Sequence, residues 1–113
     1  MYNDDPTRIR HMLDATREAM SFASGHTRSD LDSDRMLVMA LMKEIEVIGE
    51  AASHVSQEYR SNHPEIPWQD AIDMRNRLVH VYFSIDVAVV WDTVVEDLPP
   101  LQAALEKLVA ELG

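Results

Sequence analysis

Apolar side chains recur at intervals of three and four residues along most of the chain, and this period constrains the fold more than any other feature. Such spacing places side chains on one face of an α-helix, whereas a half-buried strand would show strict alternation. The longest stripe consists of Met36, Leu37, Ala40, Leu41, Ile45, Ile48, Ala52, Val55 and Tyr59. A shorter one near the N-terminus consists of Ile9, Met12, Leu13, Thr16, Met20 and Ala23. The stripes predict amphipathic helices that share a core.

Capping and breaking residues give the expected limits of the first two helices. Asp5 followed by Pro6 is typical of a helix start, and Gly25 is typical of the end of that helix. After a polar linker, Asp32 or Ser33 is expected to cap a second helix that runs to about residue 61. At 1.5 Å per residue this helix would be roughly 40 Å long.

The second half of the chain continues the helical pattern. A proline-bounded loop at 62–68 precedes a third helix. A fourth helix is expected from about Asp86 to Asp97, because Pro99 and Pro100 should break it. The stripe of a short fifth helix consists of Leu101, Leu105, Leu108 and Leu112.

One segment permits two interpretations. Residues 79–91 are rich in β-branched and aromatic side chains and could form a β-hairpin. The helical context on both sides favours helix instead. We therefore predict an all-α fold, an antiparallel bundle of four to five helices that forms a single domain over residues 1–113.

Composition excludes several classes of protein. The chain has 113 residues, no cysteine and a net charge of −10, so neither a disulfide framework nor indiscriminate nucleic-acid binding is expected. No apolar run is long enough to span a bilayer or to form a signal peptide, and we expect a cytoplasmic protein without membrane contact. Eight of the ten basic residues are arginines, the side chain best suited to grip phosphate, so a small basic site remains possible.

The stretch "MRNRLVHVY", residues 74–82, carries the most chemistry. On a helix Asn76 and His80 share a face, whereas Arg75 and His80 lie roughly 140° apart around the axis. Arg75 and His80 therefore converge only if the helix unwinds or if two copies face each other across a dimer axis. The alternative is that Arg75 and Arg77 are solvated or paired with Asp70 or Asp73, and that His80 is packed.

Four blocks in order resemble the HEPN superfamily, and most closely its HepT-like branch, the toxin half of MNT/HEPN toxin–antitoxin modules. The blocks are "IGEAA" at 48–52, "IPW" at 66–68, "MRNRLVHVYFSID" at 74–86 and "VWDTVVEDLP" at 90–99. The most specific part is an R-x4-H-x-Y signature, met by Arg75, His80 and Tyr82, with Asn76 directly after the arginine. The resemblance covers nearly the whole chain.

This resemblance implies a homodimeric helical bundle whose two R-x4-H motifs line a shared cleft, and a metal-independent endoribonuclease acting on RNA. His80 would transfer protons during attack by the 2′-hydroxyl, and Arg75 would stabilise charge on the phosphate. Asn76 would orient the imidazole or hydrogen-bond the phosphate, and Arg77 is a candidate substrate contact. Products with a 2′,3′-cyclic phosphate are expected, and DNA would be excluded as a substrate.

The resemblance also assigns a partner and a modification. In the HepT-like branch a nucleotidyltransferase antitoxin attaches AMP to the motif tyrosine, here Tyr82, and silences the toxin. An added phosphate beside the cleft would occupy the arginine and repel the substrate's backbone. The alternative for Tyr82 is core packing with its hydroxyl satisfied.

Several other residues and roles stay open at this stage. Gly49 costs about 1 kcal/mol relative to alanine inside a helix, which suggests close packing there. Glu50 could line the cleft or cap an arginine, or be merely structural, and Trp68 should anchor the third helix. Histidines 11, 26, 54 and 63 show no metal-binding spacing and no Gly-rich phosphate loop is present, so we expect neither metal nor cofactor.

Two functions other than an enzyme remain. A non-catalytic HEPN partner of a nucleotidyltransferase would tolerate loss of Arg75 or of His80. In a purely structural helical dimer, the motif would only pair the protomers.

Overall fold

Helices account for most of residues 4–78 and 85–112, the parts of the chain that the computed structural model describes. They are α1 Asp5–Ala23, α2 Asp30–Ser33, α3 Arg35–His54, α4 Gln57–Asn62, α5 Trp68–Leu78, α6 Val87–Asp92 and α7 Leu98–Leu112, with a π-helical turn, Thr93–Asp97, between the last two. No strand occurs in these two ranges, so the predicted all-α bundle is confirmed. The hairpin is wrong at least for Val87–Asp92, which is helical.

The core lies where α1 and α3 pack against each other in opposite directions. Ile9 and Met12 on α1 and Ile45 and Ile48 on α3 are completely buried. The helix α5 covers α3 on one side, and α7 packs against α1. The predicted stripes supply most of this core, although a few of their residues are only partly buried and Met36 is 85% exposed.

The second helix is shorter than predicted, because the chain leaves the helix at Val55, whose backbone is extended. Ser56 then caps the short α4 by accepting a hydrogen bond from the Tyr59 amide. The Asp5 carboxylate accepts hydrogen bonds from the Ser56 amide at 2.9 Å and from the Ser56 hydroxyl at 2.7 Å. The sequence suggested that Asp5 caps α1. Asp5 is instead a buried residue within that helix. Asp5 thus supplies a hydrogen-bond partner for the backbone just after the end of α3, at a residue 51 positions away in the sequence.

The linker before α3 also differs from the prediction. Residues 30–33 form the one-turn helix α2, and Asp34 is the residue that caps α3. The Asp34 carboxylate accepts from the Leu37 amide at 3.0 Å, the geometry expected of an N-cap. Asp32 instead pairs with Arg28 at 3.0 Å. The acidic run contains several candidate caps, and the one used is Asp34, which directly follows the one-turn helix that buries Leu31.

Pro99 and Pro100 do not end the helical path, contrary to the prediction. They lie in the first turn of α7, where the fixed φ of proline, about −65°, suits the start of a helix. The π-helical turn directly before them absorbs the change in backbone hydrogen bonding. The start of the fourth helix is confirmed, since the Asp86 carboxylate accepts from the Val89 amide.

Glu44 is a buried carboxyl on α3, only 7% exposed. Burial, and then the hydrogen bond and charge of Glu18 on α1, raise the pKa of Glu44 from 4.5 to about 7, while the charge of Lys43 opposes this. A raised carboxyl pKa stabilises the folded state at low pH, and this stability is lost as pH rises through about 7.

We therefore expect Glu44→Gln to stabilise the protein relative to wild type increasingly between pH 5 and 8, by a total on the order of 1–3 kcal/mol. Urea unfolding at a series of pH values measures this difference. Glu46→Gln, which removes an exposed carboxylate from the same helix, is the matched control. A difference between Glu44→Gln and wild type that stays constant with pH would contradict the prediction.

Candidate active site

The helix α5 exposes its polar residues to solvent because its apolar residues pack against α3. Trp68 is buried and its indole Nε1–H donates to the His63 carbonyl at 2.9 Å, so the expected anchor of this helix is confirmed. Met74 and Leu78 are buried one turn apart. The intervening residues 75–77 are consequently exposed.

Gly49 permits the close approach of α3 to α5, as the sequence suggested. A Cβ atom at this position would lie 3.1 Å from the Ala71 carbonyl oxygen and 3.5 Å from that of Ile72. It would also lie 3.7 Å from Cδ of Arg75. The glycine therefore helps to determine how near Arg75 comes to α3.

An open groove with a volume of about 590 Å³ lies between α1, α3 and α5. We call it the α1–α3–α5 groove. The residues that line it are Arg8, His11, Lys43, Glu46, Val47, Glu50, Ala51, His54, Arg75 and Asn76. Three fixed cations and two histidines thus face two carboxylates, on a chain whose net charge is −10. The groove is locally basic on an acidic protein.

Arg75 is held in this groove by Glu50, whose carboxylate accepts from the guanidinium at 3.0 Å. Of the roles left open for Glu50, capping an arginine is the one that the structure shows, and Glu50 also lines the groove. The side chains are 43% and 58% exposed, so solvent weakens this ion pair. An incoming phosphate could therefore displace the carboxylate at small cost.

His54 lies one turn after Glu50 on α3 and borders the same groove. Its Nδ1 is 2.8 Å from the Glu50 carbonyl oxygen, which can only accept a hydrogen bond. A neutral ring that makes this hydrogen bond carries its proton on Nδ1 and leaves Nε2 as an acceptor. The same ring also lies 3.7 Å from the Glu50 carboxylate.

Arg77 points elsewhere, to Asp97 in the π-helical turn at 3.6 Å. Neither arginine pairs with Asp70 or Asp73 as the alternative interpretation suggested, and the Asp73 carboxylate accepts instead from Gln69. Arg77 does not line the groove. Its role as a substrate contact stays a prediction.

His80 and Tyr82 lie outside the described residues. Their contacts, and the convergence of His80 with Arg75 and Asn76, therefore stay predictions. The described part of the helix shows that Arg75 and Asn76, the first two members of the motif, reach the same groove. The Asp86 amide donates to the Leu78 carbonyl at 2.9 Å, which brings the two ends of the intervening segment together.

Arg8, Lys43 and His54 were not predicted to be parts of one site. A signal existed, because Lys43, Glu50 and His54 are spaced by seven and four residues and share one face of α3. Arg8 and His11 are likewise neighbours on α1. Only the packing of α1 on α3 shows that the two faces border one groove.

Neither a metal cluster nor a membrane-spanning helix is found within residues 4–78 and 85–112. No group of three or more histidine and acidic side chains is close enough there to hold a metal ion. None of the described helices is long and apolar enough to cross a bilayer.

Comparison with known proteins identifies the family. The model of the family described as "Ribonuclease HepT-like" matches residues 12–108, which include the groove-lining parts of α3 and α5. The chain belongs to the HepT-like ribonuclease family. No solved structure matches it.

Named relatives of this HepT-like chain cover most of its length. It is 38% identical to a protein named "Probable ribonuclease HepT" from Thermococcus cleftensis, over 85% of the chain and 91% of the relative. It is 27% identical to a "Putative RNase" from Caldanaerobacter subterraneus subsp. tengcongensis, over 88% of the chain and 89% of the relative. A Methanocaldococcus jannaschii protein named "Gamma-glutamylcyclotransferase and putative RNase" is 30% identical, over 99% of the chain but half of that relative.

Proposed function

We propose that this HepT-like chain is the toxin of an MNT/HEPN toxin–antitoxin pair and cleaves RNA in the cytoplasm without a metal ion. One observation supports this most directly: Arg75 and Asn76, from the R-x4-H motif of a HepT-like ribonuclease, line a locally basic groove. The unit that acts is a single domain over residues 1–113.

The chemistry follows from the side chains of the motif. A phosphate that enters the groove replaces Glu50 as the partner of Arg75, whose two parallel N–H groups fit the phosphate oxygens. The same guanidinium stabilises the negative charge that develops during attack by the 2′-hydroxyl. His80 takes a proton from that hydroxyl or gives one to the departing 5′-oxygen, because an unperturbed histidine, with a pKa of about 6.5, can do either. The products are a 2′,3′-cyclic phosphate and a free 5′-hydroxyl.

A homodimer supplies what one helix cannot. On one regular helix Arg75 and His80 diverge by roughly 140°, so a second copy across a two-fold axis offers a histidine or an arginine to the same phosphate. Asn76 orients the imidazole or binds the phosphate. Both motifs would then act in one shared cleft.

Regulation is proposed to act on Tyr82 through a nucleotidyltransferase antitoxin. Attachment of AMP places a phosphodiester and its negative charge close to Arg75. The attached phosphate would occupy the guanidinium and repel an RNA backbone. The modified protein would therefore be folded but inactive.

The test is incubation of the purified, unmodified protein with total cellular RNA in EDTA, with the mass of Tyr82 verified. We expect cleavage that leaves 2′,3′-cyclic phosphate ends and that falls by at least about 100-fold in His80→Ala. His26→Ala, which removes an exposed imidazole outside the groove, is the matched control. Absence of cleavage by the unmodified wild type would refute the enzyme and favour the non-catalytic partner of a nucleotidyltransferase.

A further inference from the structure

The α1–α3–α5 groove contains basic side chains that do not belong to the catalytic motif. Besides Arg75, it is lined by Arg8 and His11 from α1 and by Lys43 from α3. Within the described residues, no carboxylate lies within 4.0 Å of the charged ends of Arg8 and Lys43, whereas Arg75 is paired with Glu50. These two cations are therefore available to an anion from outside.

The antiparallel packing of α1 on α3 places these cations on both sides of Arg75. Asp5 contacts Ser56, so Arg8, one turn further along α1, lies near the level of His54 at the end of α3. Lys43 lies seven residues before Glu50, which is about 10 Å in the other direction. The Arg75–Glu50 pair thus lies between Arg8 and Lys43 along the groove.

The length of this arrangement selects the kind of anion. From Lys43 to the level of His54 the groove extends about 16 Å along α3. Successive phosphates of one strand of a DNA duplex are about 3.4 Å apart along the helix axis. The groove is several times longer than this spacing, so it covers more than one phosphate of a strand. A mononucleotide or a free phosphate would reach one cation only.

We propose that Arg8 and Lys43, with His11 beside them, form phosphate subsites for the RNA backbone on the two sides of the bond cleaved at Arg75. This inference rests on the proposed ribonuclease function and names how its substrate is held. Because the rest of the surface is acidic, these cations have a large share of the attraction for RNA. They also align the strand, so that one particular phosphate replaces Glu50 at Arg75.

The test is binding of a short single-stranded 2′-O-methyl oligoribonucleotide, which lacks the attacking hydroxyl, measured by fluorescence anisotropy at several salt concentrations. We expect Arg8→Gln and Lys43→Gln each to weaken binding by about tenfold. Each should also reduce the slope of log affinity against log salt by about 0.7. Arg10→Gln removes the same charge from α1 outside the groove and should change neither quantity. Circular dichroism establishes that the variants are folded.

The outcomes separate this inference from the proposed function. Equal effects of Arg8→Gln, Lys43→Gln and Arg10→Gln would overturn the subsites and leave ribonuclease activity untouched. Competition by AMP or inorganic phosphate that equals the oligonucleotide in affinity, and is equally sensitive to Arg8→Gln and Lys43→Gln, would also overturn a strand-binding site. Arg8- and Lys43-dependent binding without cleavage of ordinary RNA would retain the subsites and refute the ribonuclease.

Discussion

Arg75→Lys is expected to reduce the rate of RNA cleavage by about 100-fold or more while leaving the protein folded. Lysine retains the positive charge but cannot donate two parallel hydrogen bonds to the phosphate. Loss of one preorganised donor to a developing oxyanion costs about 100- to 1,000-fold in other enzymes. The side chain is 43% exposed and its ion pair with Glu50 is solvated, so little stability depends on it. Single-turnover cleavage at saturating RNA measures the effect.

Arg17→Lys is the matched control for this prediction. Arg17 is 51% exposed and pairs with Glu106 at 3.5 Å, so it has the same kind of ion pair on the same kind of surface. It does not line the groove. Cleavage by Arg17→Lys should remain within a few-fold of wild type. If Arg75→Lys retained more than a tenth of the wild-type rate, bidentate phosphate binding by Arg75 would be excluded.

Gly49→Val is expected to destabilise the fold by about 1–3 kcal/mol, the usual cost of overpacking. Even the first added carbon would lie 3.1 Å from the Ala71 carbonyl oxygen, and this oxygen moves only if α5 moves. The helix propensity gained by removing glycine, at most about 1 kcal/mol, does not offset a branched side chain at this contact. Urea unfolding measures the loss.

Gly49→Val should also reduce the rate of RNA cleavage by more than the loss of folded protein explains. The new Cβ would lie 3.7 Å from Cδ of Arg75, so a shift of α5 that relieves the crowding would displace this side chain. A displacement of about 1 Å can cost 100-fold in rate. Ala40→Val enlarges a partly exposed residue of the same helix and is the control for a β-branched side chain in α3. Gly49→Val with wild-type stability and activity would show that α3 and α5 can separate without consequence.

Ion pairs and caps were less predictable than the helices that carry them. Asp5 directly precedes a proline, as helix caps often do, yet it is buried and binds Ser56, 51 residues away. Arg75 and Arg77 have acidic neighbours on their own helix, yet they pair with Glu50 and Asp97 on other elements. These three side chains find their partners on other helices or turns, and the sequence contains no local signal for such contacts.

The groove illustrates the same limit at the level of the site. The motif around Arg75 and Asn76 could be recognised in the sequence, because its spacing is a property of one segment. The sequence could not show that Arg8 and Lys43 lie in the same site as this motif, because they come from helices whose relative register is set by the packing of buried side chains. Their place in the same groove became visible only from the packing of α1, α3 and α5.

The amino-acid sequence by itself determined that this chain forms amphipathic helices and that a close helix contact occurs at Gly49, and it identified the motif to which we assign the chemistry. These are local properties, fixed by a period of 3.6 residues, by the absence of a side chain and by the order of residues in one segment. Tertiary structure alone decided that α3 ends at His54, that the helical path continues through Pro99 and Pro100, and that Glu50 holds Arg75. Each of these depends on atoms brought together from distant parts of the chain, where burial and hydrogen bonding override local preference.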